Sequence, residues 1–437
     1  METAGQRIWL DYINPYVDKT YTDTYGTAVG VINPDKKYKV MIEAHADEIG
    51  WTVSHIDTNG FIRVVRNGGS DHHIAPGTKV QILGENGVIK GHFGWLAIHE
   101  RKGPNALTPQ LENLFIDIEA NSKEEVEKMG IIIGSLIVYD TKFLERNGNY
   151  ISRALDNRIG GYMIAQVAKK LKDNKIDLPY SLHIVNAVQE EIGLKGAEMI
   201  AESIRPDVAI ITDVCHDTHT PHMNPIKAGD TKCGLGPVIF RGADIQLNLN
   251  KQIVKVANDN DIKFQRGTYN GNSGTDTGAI YKSGGGVACQ LISLPLKYMH
   301  TTVETVNSKD VESVIDLIDS ISNTKFKELI VDQRMIPYFI RKPVKEYALF
   351  GHIIDTIYDG GQCLFFQTPF YRWPTFANDE SLNSSSDIQL AAYCMQETPG
   401  AKMAEETIVP QRKLAKILLE KKSAILLGFC SFFRGFF

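Results

Sequence analysis

Cysteine is sparse and scattered in these 437 residues: Cys215, Cys233, Cys289, Cys363, Cys394 and Cys430 include no C-x-x-C pair. That leaves no disulfide framework and no thiolate zinc site to expect, and it is the usage of a reducing compartment. Long apolar runs are missing too; none reaches the roughly 18 uninterrupted residues of a membrane-spanning helix. The opening METAGQRIWLDYINPYVD carries an early acid and no apolar h-region, so no secretory signal is expected. A net charge of −5 gives no electrostatic reason to expect nucleic acid or an anionic membrane as partner. Repeats are lacking, and the longest low-complexity tract is Ser384-Ser385-Ser386. What remains is a soluble cytoplasmic protein with 43% hydrophobic residues and room for two or three domains.

Apolar runs of strand length alternate with helical periodicity. Tyr38 to Ala44 (YKVMIEA), Tyr180 to Val188 (YSLHIVNAV), Val208 to Thr212 (VAIIT) and Val287 to Pro295 (VACQLISLP) read as buried strands. Gly161 to Asn174 places Met163, Ile164, Val167, Ala168 and Leu171 on one helical face, and Ala197 to Ser203 and Ser308 to Ser322 read as further helices. This alternation predicts an α/β fold: a mostly parallel sheet with helices on both faces. From Thr52 to about Asp140 the texture changes to short strands separated by turns, at Phe61–Val65, Lys79–Leu83, Val88–Phe93, Leu114–Ile118 and Ser135–Tyr139. Asn86-Gly87 is a hairpin signal, and Ser122 with Glu125 spells a capping box closed by Gly130. The expectation is a discontinuous α/β domain, residues 1–51 and 141–330, interrupted by a small β-barrel at 52–140. Residues 331–437 form an extension with no legible role, including a basic amphipathic helix at Val409–Lys422.

Metal-competent residues recur where these strands end. His45 and Asp47 follow the first (EAHADEIG), Glu190 and Glu191 the second, Asp213 the third, and His300 the last; Asp156 precedes the amphipathic helix. Sites of open α/β sheets lie outside the carboxyl ends of the strands, so these residues can converge. Adjacent acids repel and resist burial, and a divalent cation, or two sharing Asp156, would keep them ionised. Two histidines and three carboxylates suit Zn²⁺, Co²⁺ or Mn²⁺ better than the oxygen-seeking Ca²⁺ or Mg²⁺. Glu190 is then free to take a proton from a bound water while Glu191 holds the ion, and Asp47 can accept the other imidazole N–H of His45.

Each piece also fits a plain structural role. Glu190-Glu191 can open a helix, Asp156 can cap one, Asp213 can turn the chain, and His300 can be an ordinary half-buried histidine. Rival ligands stand in CHDTHTPH (His216, His219, His222) and SDHHIAPG (His72, His73), both loop-like; His216 or His219 can also face the site and bind substrate. Asp276, in NSGTDTGA, can hold a substrate amine, brace the ligands, or simply turn the chain.

At these residues the chain resembles the tetrahedral (TET-type) metallo-aminopeptidases, the glutamyl-aminopeptidase-like dinuclear exopeptidases. AHADEIGW, RALDNRIGG, VQEEIGLKGA, ITDVCHDT, GPVIFRG, GTDTGAI and YMHTTVE match in the family's order, between roughly Gly26 and Leu317. The resemblance implies a zinc-exopeptidase-like α/β domain holding an inserted β-barrel dimerisation domain, and a homo-oligomer from dimer to hollow dodecamer. It implies two divalent ions per subunit, zinc or cobalt foremost: one on His45, Asp156 and Asp213, the other on Asp156, Glu191 and His300. Glu190 is then the general base and Asp47 stands behind His45; a hydroxide held by the ions releases N-terminal residues from short peptides with a free N-terminus. Ala46, Thr301-Thr302 and Lys297 depart from the usual methionine, Ser-Pro and arginine without removing a ligand. The rival readings are a metal-dependent deacylase acting on N-acyl small molecules and a non-catalytic oligomeric scaffold. A glycosidase needs two carboxylates across a sugar bond rather than a histidine-bearing cluster.

Overall fold

In the computed structural model, which describes residues 2–101 and 107–323, the run Lys39–His45 is buried at every position after its lysine. A near-continuous buried stretch of this length is what a parallel strand between two helical layers requires. The chain reaches it through helix α1 (Thr3–Ile13) and strands β1 (Lys19–Thr22) and β2 (Ala28–Ile32); the run itself is β3 (Lys39–His45).

Six short strands then leave the sheet: β4 (Gly50–Ile56), β5 (Ile62–Asn67), β6 (Lys79–Gly84), β7 (Gly87–Phe93), β8 (Ile116–Asp117) and β9 (Leu136–Tyr139). They close a barrel in the order β4-β5-β8-β7-β6-β9. Alternate residues such as Val80 and Ile82 point inward with Trp51, Ile62, Phe93 and Ile116, and Trp51 meets Phe93 edge-on. The β6–β7 turn is Glu85-Asn86, one residue earlier than the expected Asn86-Gly87, because Gly84 already pairs with Gly87. Glu85 N–H donates to Gly130 O there. That glycine ends α2 (Lys123–Lys128), whose cap Ser122 accepts the Glu125 N–H. The Glu125 carboxylate reaches back to Asn121 N–H rather than to Ser122, so only half of the expected capping box forms.

The chain returns through β10 (Leu144–Arg146), β11 (Asn149–Ser152), α3 (Leu155–Asp173), β12 (Ser181–Ala187), α4 (Lys195–Ile204), β13 (Val208–His216), α5 (Pro225–Ala228) and β14 (Val238–Arg241). It ends its described course in α6 (Leu247–Asp259), β15 (Gln265–Thr268), α7 (Thr277–Ile280), β16 (Ala288–Lys297), β17 (Glu304–Asn307) and α8 (Ser308–Ser322). The sheet runs β1-β2-β12-β3-β13-β16-β17-β11-β10, with β14 also on β16 and β15 on β14. Its central strands β12, β3, β13 and β16 are parallel; the margins on both sides are antiparallel, so the sheet is mixed. Val40 and Ile42 pack with α3 and α8 residues such as Val167 and Ile315, while Met41 packs oppositely with Ala197 and Ile200 of α4. Helices thus cover both faces, which leaves the strand ends as the open route to the sheet.

No helix among the described residues is long and apolar enough to cross a membrane. The extension at 331–437, with its expected helix at Val409–Lys422, lies outside the described residues.

Candidate metal centre

The four parallel strands deliver their carboxyl ends side by side. His45 is the last residue of β3, and Asp47 follows in the loop. β12 stops at Ala187, so Glu190 and Glu191 stand in the turn beyond it rather than on the strand. Asp213 lies within β13, which continues past the expected end at Thr212 to His216. His300 follows β16, and Asp156 occupies a non-helical step at the head of α3. Three non-glycine residues here, Ala154, Gln189 and His300, take left-handed φ angles of 56°, 61° and 61°. Such conformations gather where the surrounding structure holds a functional geometry in place.

Asp156 is the hub. Its Oδ1 lies 3.3 Å from His45 Nε2 and its Oδ2 lies 3.3 Å from His300 Nε2. Around His45 Nε2 stand Asp213 Oδ1 at 3.7 Å and Glu190 Oε2 at 3.8 Å; beside His300 Nε2 stands Glu191 Oε2 at 3.5 Å. Asp47 lies on the far side of His45, with Oδ1 3.4 Å from Nδ1. The same carboxylate accepts the backbone N–H groups of Glu190 and Glu191 at 3.0 and 3.1 Å. His45 is 2% exposed, whereas the His300 side chain is 32% exposed and marks the open side of the cluster.

Burial dominates the electrostatics. It raises the carboxyls of Glu190 and Glu191, with Asp156 adding to both, and it raises Asp213 further beside Asp156 and Glu190. Burial works against ionised Asp156 as well, yet hydrogen bonds with His300 and His45 hold it below the usual carboxylate range. Desolvation opposes charge on His45, but Asp156 and Asp47 hold its imidazole well above its ordinary value. The hydrogen bond to Asp156 lifts His300 to about 9. Among the described residues, no lysine or arginine pairs with Asp156, Glu190, Glu191 or Asp213.

This arrangement fits a divalent cation. Glu191 Oε1 is buried without a hydrogen-bond partner, and Asp156, Glu190, Glu191 and Asp213 outnumber the two imidazoles that face them, an excess of buried negative charge that a cation would offset. Ligand atoms of His45, Glu190 and Asp213, and of His45, Asp156 and Glu191, lie within 4.8 Å of one another. These groupings differ from the division expected from the family resemblance, which leaves Glu190 out and adds His300. Glu190 Oε2 and Asp213 Oδ1 stand at nearly the same distance from His45 Nε2, and Glu191 approaches His300.

Asp276 is 1% exposed and neighbours Glu43, His45, Asp47 and Glu190, a placement that suits bracing the ligands. His216 is exposed at the end of β13. Desolvation by flanking atoms and the nearby His300 push its imidazole down. Two of the rival histidines have other partners, His219 with Asp230 at 2.7 Å and His72 with Arg66, while ligand atoms of Asp71, His72 and His73 lie within 4.8 Å of one another.

Sequence reasoning passed over Glu43, Glu304 and the pair Gly68-Gly69. Glu43 is fully buried in β3, two residues before His45, and burial pushes it up to about 8. A lone acid inside an apolar run was its signal. Glu304 accepts the backbone N–H groups of Asp156 and His300. A Cβ on Gly69 would collide with the His300 ring, and one on Gly68 would press on Glu191. Nothing local in the sequence marks that approach of a barrel loop.

The profile of the M42 glutamyl aminopeptidase family matches residues 26–317. The lysyl aminopeptidase of Pyrococcus furiosus is 30% identical over 315 residues, 71% of this chain and 89% of that protein. Aminopeptidase APDkam598 from the archaeon Desulfurococcus kamchatkensis superposes with a TM-score of 0.71 at 30% identity, covering 77% of this chain and 94% of that one. The Pyrococcus horikoshii TET1 peptidase, which can assemble into a tetrahedron or a large octahedral shell, gives a TM-score of 0.64 at 27% identity over 72% and 92% of the two chains. With a match of that extent, and its strand-end cluster of acids and histidines, the chain belongs to the M42 glutamyl aminopeptidase family.

Proposed function

We propose that the chain is a dinuclear metallo-aminopeptidase that removes N-terminal residues from short peptides. The observation that carries the reading is Asp156, whose two oxygens each face a different histidine. His45, Asp156 and Asp213 would hold one divalent ion; Asp156, Glu191 and His300 would hold the other. Zinc and cobalt suit this mixed nitrogen and oxygen set, with manganese a further fit. When bound, the ions supply Lewis acidity that polarises the scissile carbonyl and acidifies a water.

The chain's own residues do the rest. Glu190 takes the proton from the attacking water and passes it to the departing amine. Asp47 fixes the His45 ring through Nδ1 and anchors the Glu190-Glu191 turn by both amides, so base and ligands keep one geometry. The surplus of buried carboxylates favours a protonated substrate amine, which restricts cleavage to chain ends. The division into a catalytic unit of residues 1–51 and 141–330 and a barrel module of 52–140 that mediates homo-oligomerisation belongs to the same reading.

Hydrolysis of aminoacyl p-nitroanilides, measured before and after treatment with a chelator, tests it. Turnover that disappears with the chelator and returns with Zn²⁺ or Co²⁺ supports the proposal. Turnover confined to N-acyl substrates, or indifferent to chelation, overturns it.

A further inference from the structure

Glu304 meets the backbone of two ligands instead of an imidazole. Its Oε2 accepts the Asp156 N–H at 3.1 Å and its Oε1 accepts the His300 N–H at 2.9 Å. Glu304 is 2% exposed; its bond to Asp156 is buried and its bond to His300 is part-buried. Glu304 opens β17, where the antiparallel register sets it opposite Ser152, the last residue of β11. The chain runs from Ser152 through the left-handed Ala154 to Asp156, and from β16 through the left-handed His300 to Glu304. Two strained turns therefore converge on one carboxylate, and each presents it with a single N–H.

We propose that Glu304 is a positioning residue of the metal centre: by accepting both amides it fixes the separation of Asp156 and His300. This rests on the reading above, in which that pair shares an ion with Glu191. A carboxylate suits the task because its two oxygens can each accept one N–H, whereas a carboxamide offers only one acceptor oxygen. Removing it would leave the buried Asp156 N–H and the part-buried His300 N–H without this acceptor and free both turns to relax.

The test titrates chelator-treated protein with CoCl₂ by calorimetry and records the visible absorption of the bound Co²⁺. Asp310→Ala is the matched control, since buried Asp310 likewise accepts two backbone N–H groups, those of Gly234 and Gly236 at 2.6 and 2.8 Å, and is not a ligand. In Glu304→Ala, one of the two Co²⁺ ions is expected to bind at least about 10-fold more weakly, with an altered spectrum, as for other groups that orient metal ligands. Glu304→Gln is expected to fall between it and the wild type. Asp310→Ala should lower Tm while leaving Co²⁺ affinity and spectrum unchanged. Wild-type affinity and spectrum in folded Glu304→Ala overturn the inference; should that variant not fold, the same result in Glu304→Gln does so. A wild-type protein that binds no Co²⁺, or an Asp156→Asn variant that binds it undiminished, instead overturns the metal reading and this inference with it.

Discussion

Asp47 accepts the backbone N–H of Glu190 at 3.0 Å although 143 positions separate them in the chain. The bond joins the loop after β3 to the turn after β12, two parallel neighbours in the sheet. With its contact to His45, Asp47 thereby sets the proposed base and a proposed ligand on one support.

Replacing Glu190 with glutamine should remove proton transfer while sparing the ligands. The expected result is a fall of about 10²–10⁴-fold in kcat, with metal content close to that of the wild type. Aminoacyl p-nitroanilide kinetics and metal analysis on the same preparation check it, and undiminished cleavage refutes the role.

Asp47→Asn loses an acceptor from a carboxylate that faces His45 Nδ1 and two backbone amides. Metal affinity should drop by about 10–100-fold. Competition with a chromogenic chelator reads the change; an unaltered dissociation constant would remove Asp47 from the account.

Stability of the chelated protein should fall as pH rises. The raised carboxyls of Glu190, Glu191 and Asp213 favour the folded state while protonated, and that advantage fades above their unfolded value of about 4.3 or lower. The raised His300 acts in the same sense: its contribution is complete below about 6.5 and is lost as pH rises through about 9. Asp156, held low, works oppositely, but only in strong acid. A net loss of about 2 kcal/mol would lower the Tm of a folded unit this large by roughly 2–4 °C. Thermal melts of chelated protein across this range should show the decline, and added Zn²⁺ should reverse it at the alkaline end; a flat or rising Tm contradicts the electrostatic picture.

Gly69→Ala tests the barrel's contact with the site. The added methyl meets the His300 ring, so the histidine must shift while the barrel core, built on Trp51 and Phe93, is untouched. A reduction in activity of about 10-fold or more, without a large change in Tm, is expected for a displaced metal ligand. Wild-type kinetics would show that the ring yields at no cost.

Much of the sheet was legible because its central strands are buried on both faces and so are mostly apolar, as VMI and VAII are within β3 and β13. The candidate ligands were legible for a related reason: charged residues at the ends of such runs stand out against them. The antiparallel margins were not, since LER, NYIS and ETVN are short and half-polar and take their places only by pairing across the chain. Glu304 was hidden with them. Its role depends on the register of β17 with β11, which no local pattern encodes. Gly68 and Gly69 read as ordinary loop residues until the fold brings Glu191 and His300 against them.

The most direct test is a crystal structure of the Co²⁺-loaded protein with anomalous scattering recorded at the cobalt edge. Two peaks should flank the Asp156 carboxylate, one toward His45 and Asp213 and the other toward His300 and Glu191. A map with no peak at Asp156, or with cobalt bound only elsewhere on the chain, would contradict it.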